Sequence, residues 1–235
     1  MTVCPSATGS PAEEGPLGSN GELDIRRITI MGPCGSGKST LAARLASALE
    51  VPVLHLDSVN FKPYWVQRTP AEFQARLASV LPSTSSSSTG SGPRWVIDGN
   101  YTSQRAGFWP QTTLFIYVDL PLPLVSWRLL KRTVYRLWSG EAAFGVEGCV
   151  ESFGMTFASK GSILLYFVQA YLLGAGKRER DMKMVADEVG ARRSRGDVDV
   201  KSNTHSATTR FLMLKSTADV ENCFQVITEA SKKRI

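Results

Sequence analysis

The sequence contains few of the residues that build disulfide frameworks or zinc sites. Its 4 cysteines are scattered and form no C-x-x-C pair, and its 2 histidines do not stand at metal-ligating spacing. Cys34 lies inside a glycine-rich stretch, away from the other three. This pattern argues against a disulfide-stabilised secreted domain and predicts a reduced, cytoplasmic compartment.

Long apolar runs are also missing. The most hydrophobic stretch, residues 163–175, is interrupted by Gln169 and is shorter than the roughly 20 residues that span a bilayer. We therefore predict a buried helix there and no transmembrane segment, with contact to a partner or a membrane surface as the alternative. Residues 1–24 lack a signal-peptide core and the arginines of a transit peptide, so we expect a disordered tail.

The charge balance is moderate. The chain has 235 residues, 43% of them hydrophobic, and a formal net charge of +6. This size supports one core, and we predict a single domain over residues 25–235. Basic residues concentrate at 128–136 and 177–195, which favours a phosphate-rich ligand first and nucleic acid second.

A phosphate-binding loop is the most specific motif. The β-branched run 28–31 leads into a G-x-x-x-x-G-K-S pattern, and an Ala/Leu-rich helix follows. In such a loop the glycines let backbone N–H groups turn toward a phosphate at a helix N-terminus, while Lys38 reaches the β/γ-phosphates and Ser39 suits Mg²⁺. The expected nucleotide contacts from this loop are Gly32, Pro33, Cys34, Gly35, Ser36, Gly37, Lys38, Ser39 and Thr40.

Apolar strands alternate with helices along the rest of the chain. Wholly apolar strands in such an alternation predict an α/β fold, with a five-stranded parallel sheet between helices in a three-layer α/β/α sandwich. Two Ser/Gly- or Arg-rich segments, 82–93 and 191–209, are predicted to be flexible insertions. Strands are predicted at 28–31, 51–57, 95–98, 113–119 and 210–214. One helix is predicted to begin at 40, one to cover 70–81, one to follow the fourth strand and end near 138, and one to cover 218–232.

Three acidic residues stand at the ends of predicted strands. Because the carboxyl ends of parallel strands meet at one edge of a sheet, we expect Asp57, Asp98 and Asp119 to face the crevice that holds the phosphate loop. Phosphoryl transfer requires a carboxylate for hydrated Mg²⁺ and one that accepts a proton from, or orients, an attacking hydroxyl. The alternative for any one of them is a turn or cap.

The order of motifs resembles a known family. The phosphate loop, H-L-D at 55–57, W-V-I-D-G-N-Y at 95–101 and D-L-P at 119–121, followed by Arg128 and Arg132, look like the adenylate-kinase-related P-loop proteins. The bacterial "topology modulation" proteins of that group are most similar. The resemblance covers about 26–171 and 211–224, and it implies a nucleotide- or shikimate-kinase-like P-loop NTPase with a small helical lid at 139–160.

The resemblance also implies roles for individual residues. Asp98, with Ser39, would hold Mg²⁺; Asp57 would be the base or orient the acceptor hydroxyl. Arg128 would lie against adenine and Arg132 would reach the phosphates during transfer, unless the helix only exposes a basic stripe. The residues expected around the acceptor are Asp57, Tyr64, Trp65, Gly99, Asn100, Tyr101 and Arg105.

The chain also departs from the family. AMP-specific kinases follow D-G with Phe/Tyr-Pro-Arg, whereas here Asn100 and Tyr101 follow Gly99, and only Arg105 offers a partial substitute. AMP is therefore disfavoured as acceptor. The leading hypothesis is a kinase that uses ATP and Mg²⁺ on a small hydroxyl- or phosphate-bearing metabolite, as a monomer or homodimer. An NTP-dependent switch with a macromolecular partner and a nucleic-acid-associated protein stay open.

Overall fold

A parallel sheet of five strands organises the chain. The computed structural model describes residues 23–81, 93–151, 177–195 and 209–233. The sheet strands are β1 (Arg27–Met31), β2 (Val53–His55), β5 (Trp95–Asp98), β6 (Leu114–Val118) and β7 (Arg210–Leu214), and a small antiparallel hairpin contains β3 (Phe61–Lys62) and β4 (Val66–Gln67). The helices are α1 (Lys38–Leu49), α2 (Leu56–Asn60), α3 (Pro70–Val80), α4 (Leu122–Ser139), α5 (Lys177–Arg195) and α6 (Thr217–Lys232).

The strand order places β1 at the centre. Across the sheet the order is β2-β5-β1-β6-β7, with every pair parallel. The chain therefore passes from one side of β1 to the other between β5 and β6. Ligands of open α/β sheets bind beyond the carboxyl ends of the strands at such a switch point.

Helices cover both faces of the sheet. All of β6 is buried, and its side chains alternate: Leu114, Ile116 and Val118 join one core cluster, and Phe115 and Tyr117 join the other. The first cluster also holds the apolar faces of α1 and α6 and part of α4; the second holds those of α3 and α5. The predicted three-layer α/β/α arrangement is confirmed.

Several predicted boundaries differ from the structure. The second strand ends at His55, because Leu56 begins helix α2, so Asp57 lies in a helix and not at a strand end. The predicted tail was too long by two residues: Leu23 is buried in the core, and the buried Asp24 carboxylate accepts hydrogen bonds from the Arg26 guanidinium.

The predicted insertion at 191–209 is wrong at its start. Ala191 to Arg195 complete helix α5, and the Arg192 side chain is buried. Its guanidinium donates to the backbone carbonyls of Thr112 and Trp109, which ties the helix to the loop before β6. Residues 196–208, most of the insertion at 82–93 and the apolar run at 163–175 lie outside the described residues.

The region predicted as a helical lid, 139–160, is described only over residues 139–151, of which Ser139 ends α4. It contains one short 3-10 turn, Ala143–Gly145, and a bridge between Ala142 and Val150, so no longer helix occurs in this described part. Residues 152–160 lie outside the described residues. Among the described helices, none is both long and apolar enough to cross a membrane.

Candidate phosphate-binding cleft

The phosphate loop begins directly after β1 with Gly32, at a position that excludes a Cβ atom. Gly32 has a φ of 146°, and a Cβ there would lie 2.5 Å from the Val118 carbonyl oxygen. The Asn100 side chain holds this residue from the neighbouring strand: its Oδ1 accepts from Gly32 N–H at 2.8 Å, and its Nδ2 donates to the Gly32 carbonyl at 2.7 Å. Both backbone polar groups of the first loop residue are therefore hydrogen-bonded to Asn100.

The loop ends at the N-terminus of α1. Gly37 precedes the helix with a φ of 91°, and Lys38 and Ser39 are its first residues. No side chain caps this end, and the first turn has no acidic residue. The first N–H groups of a helix have no partner within the helix, and the helix dipole favours an anion there. This end of α1 has the donors and polarity of a phosphate site.

A cleft of about 1460 Å³ opens in front of the loop. It is lined at one end by Cys34 to Thr40 and at the other by residues of α2, the hairpin and the 140–151 segment. Several predicted site residues outside the loop also line it: Asp57, Trp65, Asp98, Gly99, Asn100, Tyr101, Arg128 and Arg132. Cavities that bind one small ligand are typically ~300–1,000 Å³, so this cleft has room for more than one.

Asp98 and His55 form a pair at the floor of the cleft. The His55 Nδ1 and Asp98 Oδ2 atoms are 2.9 Å apart. Burial opposes ionisation of the 4% exposed Asp98, but the hydrogen bond from His55 and the charge of Lys38 hold its pKa below the ordinary 3.8. The same hydrogen bond raises the pKa of His55 above 6.5, against the effect of burial. The carboxylate is thus held in its charged form beside the phosphate loop.

The predicted magnesium residues fit that metal. The second carboxylate oxygen of Asp98, Oδ1, is buried without a hydrogen-bond partner, and Ser39 contributes to the lowered pKa of this acid. Within the described part of the chain, no three His, Cys, Asp or Glu side chains cluster as a metal site. Mg²⁺ bound to a nucleotide needs few protein ligands, because phosphates and waters supply the rest. One carboxylate and one hydroxyl therefore suffice.

Asp57 faces the cleft from α2. The Tyr101 hydroxyl donates to Asp57 Oδ1 at 2.8 Å, and the Tyr101 ring stacks on Phe73 with centroids 5.2 Å apart. Burial, followed by the charge of Asp57, raises the pKa of Tyr101 far above 10.0, so the tyrosine stays a donor. No hydrogen bond of the described residues uses Asp57 Oδ2. This oxygen is available to an acceptor hydroxyl.

Three arginines of α4 line the opposite wall. Arg128, Arg132 and Arg136 are spaced four residues apart, on one side of the helix. Arg136 donates to Glu151 at 3.1 Å, whereas Nε and Nη2 of Arg132 are buried and have no partner among the described residues. Burial and the neighbouring Arg136 lower the pKa of Arg132. A desolvated cation without a carboxylate is a site for an anion from outside.

Aromatic residues close the far end of the cleft. The rings of Phe61 and Phe144 stack at 5.7 Å with an interplanar angle of 4°, and Trp65 meets both edge-on at 5.5 and 6.1 Å. The Trp65 indole donates to the Val150 carbonyl. These contacts join the hairpin to the 140–151 segment and give the cleft an apolar wall.

Two residues predicted at the acceptor site lie elsewhere. Tyr64 is 73% exposed, packs beside Gly148 and does not line the cleft. Arg105 donates to the Thr102 carbonyl and lies over the Trp109 ring, and it does not line the cleft. The partial substitute for an acceptor-phosphate arginine is therefore absent from that position.

Two further predictions require correction. Asn100 reaches the cleft, but its amide is engaged with Gly32, so it shapes the phosphate loop. Asp119 does not face the crevice: it is 7% exposed and ion-paired with Arg178 of α5, and it is missing from the cleft lining. Of the three acids expected to face the crevice, only Asp57 and Asp98 line the cleft.

Sequence reasoning missed His55 and Phe144. His55 belongs to the H-L-D motif but received no role, because its partner Asp98 is 43 residues away. The strand pairing of His55 with Asp98 is the signal that identifies the contact, and it requires knowledge of the sheet order. Phe144 lies in a glycine-rich stretch that sequence patterns mark only as mobile.

Comparisons with known proteins give structural similarity only. No family model matches the chain, and no curated protein matches its sequence. A shikimate kinase from Acinetobacter baumannii in complex with shikimate superposes with a TM-score of 0.39 at 15% identity, over 90% of this chain and 96% of that one. A gluconokinase from Sinorhizobium meliloti 1021 gives 0.39 at 13%, over 89% and 93%. A sugar kinase from Janibacter sp. HTCC2649 gives 0.33 at 16%, over 64% and 96%. Similarity at this level does not bear on activity.

Proposed function

We propose that this chain is a kinase that transfers the γ-phosphate of ATP to a small hydroxyl- or phosphate-bearing metabolite. The observation that carries the proposal is the continuity of the cleft. One cavity is lined both by the phosphate loop and by Asp57 with the aromatic wall. A protein that only bound or hydrolysed nucleotide would not need this second set of residues.

The nucleotide end of the cleft has the parts for charge stabilisation. The N-terminus of α1 and Lys38 would hold the β- and γ-phosphates, and Asp98 with Ser39 would hold Mg²⁺, which neutralises charge on the phosphate oxygens. Arg132, whose Nε and Nη2 are buried, would supply a cation to the transferred group, and Arg128 lies beside Gly37, 3.5 Å from the position of a Cβ there. Arg128 would therefore contact the nucleotide.

The other end fits an acceptor. Asp57 Oδ2 would accept a hydrogen bond from the acceptor hydroxyl, and the bond from Tyr101 fixes the carboxylate in that orientation. As the acceptor oxygen bonds to phosphorus and the bond to the ADP oxygen breaks, the hydroxyl proton passes to Asp57. The apolar wall of Phe61, Trp65 and Phe144 favours an acceptor with an apolar or planar face.

The proposal also includes the family of the protein, its location and its mobile segment. The order of motifs supports membership of the adenylate-kinase-related P-loop proteins, near the topology modulation group. We also propose that the protein works in the cytoplasm as a monomer or homodimer, and that residues 139–160 close over the nucleotide as a lid. Nucleic acid fits less well, because Arg178 and Arg192 of the basic segment are engaged within the protein.

The test is ADP release from Mg·ATP across a panel of sugars, nucleosides, nucleoside monophosphates and hydroxy acids. Wild type is compared with Lys38→Ala and Asp57→Asn, and with Ser103→Ala as an exposed control at the edge of the cleft. The proposal expects one acceptor class to stimulate turnover, and Asp57→Asn to remove the stimulated part by about 10²–10⁴-fold. Lys38→Ala should remove both stimulated and basal turnover.

A different pattern would favour the NTP-dependent switch. If no acceptor changes a slow hydrolysis that depends on Lys38 and tolerates Asp57→Asn, the kinase proposal is wrong. Product identification by mass spectrometry separates phosphorylated acceptor from free phosphate. Turnover stimulated only by RNA or DNA would instead point to the nucleic-acid hypothesis.

A further inference from the structure

Helix α4 exposes a row of large apolar side chains on the side away from the core. Trp127, Leu130, Val134, Tyr135 and Trp138 are 65%, 44%, 57%, 56% and 90% exposed. With Lys131 they occupy positions i, i+3, i+4, i+7, i+8 and i+11 of one helix, which is a single continuous face. We call these six residues the outer face of α4.

This face is not the part of the helix that stabilises the fold. The buried residues of α4 are Val125, Leu129 and Thr133, on the opposite side. A surface helix of a globular protein normally presents polar residues outward, and contiguous exposed apolar patches mark sites of interaction. Among the described residues the outer face stays exposed, and we look to an interaction to explain it.

The charged residues of helix α4 are all basic. No Asp or Glu occurs anywhere in Leu122–Ser139, and the charged residues are Arg128, Lys131, Arg132 and Arg136. The three arginines line the cleft. Lys131 is exposed within the outer face, and the exposed Arg128 borders it. The matching surface must therefore be apolar where tryptophan contacts it and anionic at its boundary.

We propose that the outer face of α4 docks on an anionic lipid bilayer, with the helix lying in the interface plane. Tryptophan and tyrosine are the side chains that favour the headgroup region, because their rings are apolar and carry one polar group. Lys131 can extend its ammonium group to the lipid phosphates while its methylenes stay among the aromatic rings.

Charge also argues against a second copy as the occupant. Two outer faces packed against each other would bury both Lys131 side chains in one apolar contact, and α4 offers no carboxylate to neutralise them. An anionic bilayer supplies that negative charge at the depth where the lysine emerges. Docking would also bring the cleft near the membrane surface, because Arg128, Arg132 and Arg136 of the same helix line the cleft.

Vesicle flotation of the full chain tests this inference. Vesicles of phosphatidylcholine alone are compared with vesicles that also contain phosphatidylglycerol, at low and high salt. We expect binding to the anionic vesicles only, weakened by salt. Lys131→Glu should lower the partition coefficient at least about tenfold, and Trp127→Ser with Trp138→Ser should abolish binding. Lys233→Glu reverses an exposed charge directly after α6, and it should lower the partition coefficient much less.

Three results would overturn the inference. One is the absence of wild-type binding to anionic vesicles, and another is equal binding by the double tryptophan variant. The third is a dimer in light scattering that these tryptophan substitutions dissociate, which would assign the face to a second copy. Circular dichroism checks that the variants fold. Independently of them, vesicles of brominated lipid should quench wild-type fluorescence, and Trp138→Phe should remove much of that quenching.

Discussion

Asn100 shows how much one amide contributes to the site. It was predicted to touch the acceptor, and the structure gives it both backbone groups of Gly32 instead. A side-chain amide is the one group that can donate and accept in this paired way across neighbouring strands. The residue therefore determines the course of the phosphate loop, and its effect on nucleotide binding is indirect.

Asn100→Ala should weaken Mg·ATP binding and destabilise the fold. Removal of the amide leaves the Gly32 N–H and carbonyl without partners, which costs about 1–3 kcal/mol for a buried group. Isothermal titration with Mg·ATP and denaturant unfolding measure the two effects, with Ser103→Ala as the control. Unchanged affinity for Mg·ATP would show that the loop keeps its shape without this anchor.

The His55 and Asp98 pair should make stability depend on pH in metal-free buffer. The pKa of His55 is raised above 6.5, so its contribution is complete below 6.5 and is lost as pH rises through the folded value. The pKa of Asp98 is lowered below 3.8, so its contribution is present above 3.8 and is lost as pH falls through the folded value. The pair stabilises the fold most between these two limits.

We expect the stability difference between wild type and His55→Leu to be largest in that window. Denaturant unfolding at a series of pH values measures it. Proton NMR gives the second readout, because the chain has only 2 histidines and His55→Leu assigns the signals of both. A His55 signal that titrates below 6.5 would contradict the hydrogen bond to Asp98.

At the scale of elements, helix α5 is attached to the sheet through two arginines. Arg178, near its start, pairs with the buried Asp119 at the end of β6, and Arg192, near its end, donates to carbonyls before β6. Val185 and Val189 pack between them against the second core cluster. The basic segment is thus partly structural, and Asp119 attaches helix α5 to the sheet.

Breaking the Asp119–Arg178 pair should affect stability and leave nucleotide binding unchanged. Asp119→Asn and Arg178→Met should each cost about 1–3 kcal/mol of unfolding free energy, and the double variant less than their sum. A double-mutant cycle by denaturant unfolding gives the coupling. The Mg²⁺ concentration needed for ATP binding is the discriminating measurement: a rise in Asp119→Asn alone would assign this residue to the metal site.

For the whole molecule, the cleft has walls from opposite ends of the chain. The phosphate loop, α4 and the 140–151 segment surround one cavity, and α6 contributes Thr217, Val220 and Glu221 at its rim. The aromatic contacts of Phe144 hold the 140–151 segment against the hairpin. A ligand in the cleft would therefore bridge parts of the chain that the sheet alone does not join.

Mg·ATP should protect two separate regions from hydrogen exchange. We expect slower exchange at residues 32–41 and at 140–151, because both line the cleft, and little change in the second half of α6. Lys38→Ala should abolish both effects at the same nucleotide concentration. Protection of the loop without protection of 140–151 would mean that this segment does not close over nucleotide.

Much of the fold was accessible from the sequence because the signals are local. The strands Trp95–Asp98 and Arg210–Leu214 are mostly apolar runs, and the sequence located both to the residue. The short β2 was overestimated because its apolar pattern continues into α2 without a break. Arg192 was misjudged because an arginine-rich stretch gives no sign that one member is buried.

The sequence by itself determined the phosphate loop and the parallel sheet. The loop is specified by contiguous residues, from the run before Gly32 to the helix after Lys38, so no distant contact is needed to recognise it. The tertiary structure decided which side chains meet: Asn100 with Gly32 across 68 residues, His55 with Asp98 across 43, and Arg178 with Asp119 across 59. Those contacts follow from the order of strands in the sheet, and a pattern along one strand does not encode its neighbours.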